Sequence, residues 1–359
     1  MKKYLFALVF CPLISFAQRI DLDRFNFSVQ FHTLPAMRLD SSYHTYNVVV
    51  EGSKMMQPFL KPMVPENSVV LEGWKKISQY GHITVKVKLD DLLPESVSVK
   101  ERVENIKNNL GQITGTRTLY YQEVVYTFAA TAMISDYKGM HIMDQVLADR
   151  GYKQVYKSPE FPFRPMAEGY FVLNSMTTTA ELYRNCVNRA MRYLSDRITD
   201  NFGFSELTVY DKMWIIGNKK HPEYEDHRKA FQQLTEVLFS MNANQSIEGV
   251  REQLKPVIDY FESIKQTYTS NKKRDRKIRY ASYYNLAVLY YYLDDPQAMM
   301  KQATGLVLND FDTRDGKNFE ATATSLKNLF QQANIYTRHF KIDPLSYRGP
   351  LEGAEQTVK

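Results

Sequence analysis

Residues 280–310, YASYYNLAVLYYYLDDPQAMMKQATGLVLND, leave the chain the least conformational freedom. Tyr280, Tyr283, Tyr284, Ala287, Tyr290 and Tyr291 recur at helical spacing along one side, and Leu286, Leu289 and Leu293 lie on the other. A helix that is apolar all round has no face to give to water and must be buried among neighbours. Asp294-Asp295-Pro296 ends it, because a proline pushes the preceding residue out of the α region. A second helix is predicted to follow at once, from 297 to 308.

Two antiparallel helices on a tight turn resemble a tetratricopeptide (TPR) unit. The resemblance rests on Tyr283 at the bulky first position, then Leu286, Ala287 and Tyr290. Ala298 stands for the small residue of the second helix, and Gly305 lies near a second small position. The turn is one residue short, Ala287 replaces the usual glycine, and no second copy recurs at the family's period of about 34 residues. One helical hairpin with degenerate neighbours is therefore expected, a small helical cap rather than a solenoid. In this family an asparagine at the position of Asn285 can line a concave groove and bind a ligand's backbone or carboxylate. The resemblance thus implies a docking role for Asn285, with Tyr283 and Tyr290 on the aromatic side, first as a packing seam and second as a docking surface. The plainer alternative has Asn285 facing solvent or capping a neighbouring turn.

At 359 residues the chain exceeds the size at which one core usually stops growing, so two domains are expected. The first residues read as an export signal. Lys2-Lys3 form a basic start, residues 4–14 an apolar stretch, and Ser15-Phe16-Ala17 a cleavage site before Gln18. Cys11 is preceded by Phe10 and followed by Pro12, which does not suit lipid attachment. Removing Lys2 and Lys3 from the 46 basic residues leaves 44 against 40 acidic ones, a net charge of +4. So small an excess argues against dedicated nucleic-acid binding. The mature chain keeps one cysteine, Cys186, on the apolar stripe of a predicted helix, so it forms no internal disulfide. No later stretch approaches the ~18 apolar residues of a membrane span. Export without disulfide or anchor fits the periplasm, or an outer-membrane association, of a double-membraned bacterium.

Strand patterns come first. Phe25, Phe27, Val29 and Phe31 alternate with polar residues, 46–50 continues the pattern, and 81–90 alternates Ile83, Val85, Val87 and Leu89 with lysines. The proline-bearing stretch 57–67 reads as a loop, 69–71 as a short strand, and 97–110 as a short helix or loop. One long strand is predicted over 119–134, then a turn at Asp136-Tyr137-Lys138-Gly139 and a helix from about Met143 to Gly151. Residues 152–155 and 169–173 read as further strands. Thr178 with Glu181 three residues on is a capping box, opening a helix with Leu182, Tyr183, Cys186, Val187, Ala190, Leu194 and Ile198 on one side. After a short extended segment at 202–209, helices are predicted at 222–241, 247–269, 275–293, 297–309 and 317–337. The resulting division is a signal peptide (1–17), a β-rich α+β module (18–176), an all-α TPR-like module (177–343) and a polar, mobile tail (344–359).

Chemistry-bearing patterns are few. His221-Pro222-Glu223-Tyr224-Glu225-Asp226-His227 holds metal-ligand side chains, with Glu223 and His227 on one helical face. It also has proline and acids in the first turn, the make-up of a helix start, and lacks the HExxH order. Lys272, Lys273 and Arg274 open the one basic cluster, suited to the C-terminal end of the preceding helix. A sharper role is contact with an acidic partner or anionic lipid headgroups at the membrane periphery. Gly111–Arg117 lacks the Gly-Lys-Ser/Thr ending of a phosphate loop, and Ser205 lacks the closing glycine of a nucleophile elbow. No motif nominates a catalytic residue, a cofactor or a metal set. The fold class expected is α+β, and the function expected is non-catalytic. It is a protein-interaction scaffold of the cell envelope, serving an outer-membrane assembly or secretion complex through its helical module. Competing readings are a glycan- or peptide-binding β module and a hydrolase of unrecognised family.

Overall fold

The computed structural model describes residues 20–352, with only the backbone of Phe171. The export segment 1–17 lies outside the described residues. In chain order the strands are β1 (Leu22–His32), β2 (Thr45–Gly52), β3 (Lys75–Lys76), β4 (Ile83–Leu89), β5 (Leu93–Lys107), β6 (Ile113–Thr127), β7 (Ala130–Asp136), β8 (His141–Ala148), β9 (Gln154–Lys157) and β10 (Glu206–Ile216). The helices are α1 (Gln57–Leu60), α2 (Arg164–Phe202), α3 (Tyr224–Ser240), α4 (Glu248–Thr267), α5 (Lys273–Tyr292), α6 (Pro296–Asn309) and α7 (Thr313–Ala333). The fold is α+β, an N-terminal β-sheet region followed by a C-terminal helical one. Two compact units share the chain. One holds residues 20–32 together with 206–341, and the other holds 33–205 and 342–352. The expected boundary at 176/177 falls inside α2.

In the sheet unit, β3-β2-β4-β7-β8 form a five-stranded sheet and β5-β6-β9 a three-stranded one. The alternation read over 81–90 is real: Ile83, Val85, Val87 and Leu89 are buried. They join one core with Leu182, Val187, Met191, Leu194 and Ile198 of α2. The first half of α2 turns another face to the three-stranded sheet. Ala167 and Thr178 are buried there, and the Tyr170 ring lies 5.5 Å from Phe161, whose backbone bridges to Tyr120 of β6.

The helical unit is organised by α5. Residues on every side of it are buried, as an all-round apolar helix requires. Its partner on one side is the ribbon of β1 and β10, antiparallel from Leu22 opposite Ile216 to His32 opposite Glu206. Phe27, Val29, Phe31, Met213 and Ile215 of the ribbon share a core with Leu286, Leu289 and Tyr292 of α5. The Tyr292 hydroxyl donates to Asp211 at 2.8 Å, and Asn285 grips Trp214: its Oδ1 accepts from the Trp214 N–H and its Nδ2 donates to the Trp214 carbonyl, both at 2.8 Å. On another side Tyr283 lies against Gly305 of α6, where a Cβ would collide with its ring. Asp294 takes a left-handed φ of 55°, and Asp295 caps α6 by accepting from Ala298 N–H at 2.8 Å. The buried Asp294 carboxylate binds Arg338 at 2.7 Å and His339 at 3.1 Å, with the guanidinium 4.1 Å from the Phe31 ring centre and 4.5 Å from that of Tyr291. This cluster ties the segment after α7 to the end of α5.

Several local readings are corrected. Residues 57–67 include α1 and a 3₁₀ turn at Pro65–Ser68, and 69–71 is not a strand. The expected helix or loop at 97–110 is strand β5, whose Val97, Val99 and Val103 alternate with polar residues and whose hydrogen bonds to β6 outweigh the helical propensity of its charges. The long strand at 119–134 breaks after Thr127, and its two parts enter different sheets. The helix expected from Met143 is β8, returned as a hairpin from β7 through a turn with Gly139 at φ 83°. Residues 169–173 are helical, and Thr178 is a buried residue inside α2 rather than its cap. Of the segment expected to be extended at 202–209, Phe202 ends α2 and 206–209 begin β10, which runs on to Ile216, and the last long helix begins at Thr313 rather than 317. The tail up to residue 352 is docked, not mobile: Tyr347 stacks on His44 at 4.5 Å and its carbonyl accepts from Lys75 Nζ at 2.7 Å.

Replacing Asn285 by Ala would leave the Trp214 N–H and carbonyl without partners inside a packed interface. A loss of about 3 kcal/mol of stability is expected, read as a lower urea midpoint with an unchanged denaturant slope.

Candidate functional site

The residues singled out from sequence do not form one site. Asn285 is fully buried, its amide committed to the Trp214 backbone, so it neither lines an open groove nor faces solvent. Tyr283 and Tyr290 are half-buried on another face of α5. The Tyr283 ring carries the Lys265 ammonium 4.5 Å above it, and Tyr290 packs beside Ala287, Met299 and Ala323. Burial raises the pKa of both phenols above the usual value. They act here as a packing seam.

Lys272, Lys273 and Arg274 are exposed, but they do not finish the preceding helix. That helix, α4, ends at Thr267, and Lys272 is the N-cap of α5. The cations therefore sit at the positive end of a helix dipole, the opposite of the expected placement. Asp275, buried in the first turn and 3.1 Å from Arg274, offsets part of that charge.

The His221–His227 string is the start of α3. Glu223 is its N-cap residue, and its carboxylate accepts from the hydroxyls of Tyr260 at 3.2 Å and Tyr268 at 3.0 Å, pinning α3 to the end of α4. His221 Nδ1 accepts from the Glu223 N–H at 3.2 Å. His227 is buried against Phe231, its ring 5.0 Å away, with Phe261 at 5.6 Å. Among the described residues no group of three or more His, Cys, Asp or Glu converges as a metal-binding set. Cys186 is buried, and burial raises its thiol pKa, so it is a core residue.

Depressions on the surface formed by the described residues include two of note. One, of about 450 Å³, is open and lined by Asn26, Tyr210, Lys212 and Phe239 of the helical unit, and its one carboxylate, Asp211, is spent on Tyr292. The other, of about 230 Å³, is rimmed by Glu72, Asp196 and Asp200 of the sheet unit. Ser205 also lines it, and two of its hydroxyls serve the backbone: Ser195 Oγ donates to the Met191 carbonyl, and Thr199 Oγ1 accepts from the Glu72 N–H.

The surface with the clearest physical meaning is on α2. Met166, Gly169, Leu173, Met176 and Ala180 follow one another at spacings of three and four, and the same line continues through Tyr183, Val187, Ala190, Leu194 and Ile198. The second half of this stripe is in the core. The first half is bare: Met166 is 49% exposed, Val172 77%, Leu173 86% and Met176 71%, with Phe163 at 66% just before the helix. A face that is core in one half of a helix lies open in the other, although the opposite side of that half is covered by the three-stranded sheet. The five exposed side chains present on the order of 600 Å² of largely apolar surface, at the upper end for the largest patch of a monomer and of the kind that marks an interaction site. Reading 169–173 as a strand concealed this stripe. The signal was present, since the 3-4 spacing from Met166 to Ile198 is unbroken.

No protein-family model matches the chain, and no curated protein matches it in sequence. Among the described residues no helix is long and apolar enough to cross a membrane.

Burial makes His227 a probe of stability. Desolvation first, then the nearby charges of Arg228 and His221, lower its pKa from 6.5 to about 3. Below pH 6.5 the unfolded imidazole takes up a proton that the folded one refuses. Stability is therefore complete above pH 6.5 and falls as pH drops towards 3, by up to about 1.4 kcal/mol per unit. Burial lowers the pKa of His32, His44, His82 and His221 too, which adds to the same trend. His227→Phe is expected to lose less stability than wild type between pH 7 and pH 4.5 in urea titrations; equal losses would contradict this account.

Proposed function

We propose that this protein is an exported, non-catalytic component of the cell envelope of a double-membraned bacterium, working as a protein-interaction scaffold. The observation that carries the reading is the bare half of the α2 stripe. An apolar face of that size, continuous with a core face, gains stability when another protein takes it out of water. The docking role expected of the helical module moves accordingly to the sheet unit. The TPR-like hairpin is occupied with holding its own unit together, and Asn285, Tyr283 and Tyr290 contribute to that. The basic group Lys272, Lys273 and Arg274 remains a secondary contact for an acidic partner. The leader at 1–17 and the single cysteine of the mature chain support the same reading.

The test is expression with the leader in a double-membraned host, with a photo-crosslinking amino acid at position 173 or, as control, at the exposed position 308 of α6. The mature chain should begin at Gln18 in the envelope fraction. Crosslinks to protein should form from 173, not from 308, and Met176→Glu should abolish them without moving the melting temperature. A chain that keeps residues 1–17 in the cytoplasm, or one that gives no protein crosslink from 173, overturns the proposal.

A further inference from the structure

We propose that the occupant of the bare α2 stripe is a second copy of this chain, bound antiparallel across a two-fold axis near residue 171. The inference rests on the stripe being a protein-docking face and names which protein docks.

The stripe is complementary to itself in that orientation. An antiparallel partner centred there sets Leu173, 86% exposed, opposite Gly169 of the other copy, where a Cβ would meet no atom within 4 Å. The same register places Met166 against Met176 and Val172 near its own counterpart, and every such contact occurs twice, as an isologous interface requires. Knob and hole thus come from the same short segment.

Charge also favours a like partner. Two-fold antiparallel pairing brings each flank of the stripe against the same flank of the other copy, so a charge there would face itself. The flanking positions are Pro165, Val172 and Thr179 on one side, and Tyr170 and Thr177 on the other, all uncharged. Arg164 and Glu168 lie further round and neutralise each other at 2.9 Å. Flanks without lysine or arginine do not suit a helix lying in a lipid headgroup layer. The C-terminal residues 353–359, GAEQTVK, carry too little apolar surface to cover the stripe themselves.

The size is adequate. The exposed apolar side chains present on the order of 600 Å² per copy, or about 1,200 Å² over both copies, the lower end of the range for a stable interface. The interface is formed by the sheet unit alone, so a dimer would carry two helical units.

The mature chain, 18–359, should sediment as a dimer that dissociates on dilution. Leu173→Arg and Gly169→Leu, one placing a charge in the seam and the other filling the hole, should give monomers with unchanged far-UV circular dichroism and the melting temperature of wild type diluted to monomer. Leu308→Arg should remain dimeric. Val172→Cys should form a disulfide-linked dimer on oxidation, which the buried Cys186 of the unaltered chain does not. A wild-type chain that is monomeric at every concentration overturns the proposal, as does a dimer indifferent to Leu173→Arg. Photo-crosslinks from position 173 separate the two ideas. A product of twice the chain mass supports self-pairing. A product with a different protein overturns self-pairing and leaves the docking role standing. No protein product overturns both. Wild-type monomers that sediment with phosphatidylglycerol vesicles unless Leu173 is replaced would also overturn it, in favour of a lipid occupant.

Discussion

The helical unit depends on a single side-chain amide that completes a strand edge. The ribbon of β1 and β10 has two strands, and a two-stranded ribbon is marginal in water because each strand has an unpaired edge. At Trp214 the edge of β10 facing away from β1 is closed by Asn285, which supplies acceptor and donor to the same residue as a third strand would. The amide can do so because α5 is apolar on its other sides and is held against the ribbon by Phe27, Met213, Leu289 and Tyr292. One polar group in an apolar helix is thus satisfied completely, and it sets the height of the helix along the strand.

Around that contact two tyrosine hydroxyls of α5 are also paired to fixed partners, while the buried Ser282 hydroxyl is not. The Tyr280 hydroxyl donates to Asp315 at 2.6 Å and that of Tyr292 to Asp211, and burial foremost drives both phenol pKa values upward. At the end of the helix, burial alone would raise the Asp294 carboxyl. The His339 hydrogen bond and the Arg338 charge outweigh it and hold the pKa below the usual range. A buried pair of this kind contributes little net stability, but losing one member would leave an uncompensated charge. The cluster is best understood as fixing where the chain turns after α7.

The sheet unit poses the opposite case, a helix whose demand for burial is not met within its own fold. Along α2 the same 3-4 stripe has two environments: core from Tyr183 onward, water from Met176 back to Met166. The apolar pattern does not weaken where the cover ends. A sequence that keeps a core pattern over a bare stretch puts side chains in water at a cost of roughly 25 cal/mol per Å², which a partner surface removes. The proposed interaction role is therefore assigned to this stripe and not to the better-formed hairpin, whose aromatic seam is consumed internally.

Local periodicity determined much of this protein. The alternation in β1, β2 and β4, the five helices after residue 220, the end of α5 at Asp294-Asp295-Pro296 and the all-round burial of α5 all follow from residue spacing and proline geometry. These are short-range effects, so the sequence carries them by itself. The tertiary structure alone decided the rest. Strand β5 is charged enough to read as helix until β6 pairs with it, and residues 119–134 divide because the two halves hydrogen-bond to different sheets. β10 finds β1 across more than 170 intervening residues, and Asn285 becomes a strand partner only once that ribbon exists. The α2 stripe divides this way too. The helix expected from sequence carries its apolar line only from Leu182 to Ile198, although the spacing runs back to Met166, and which half is covered is a long-range fact that no local pattern encodes.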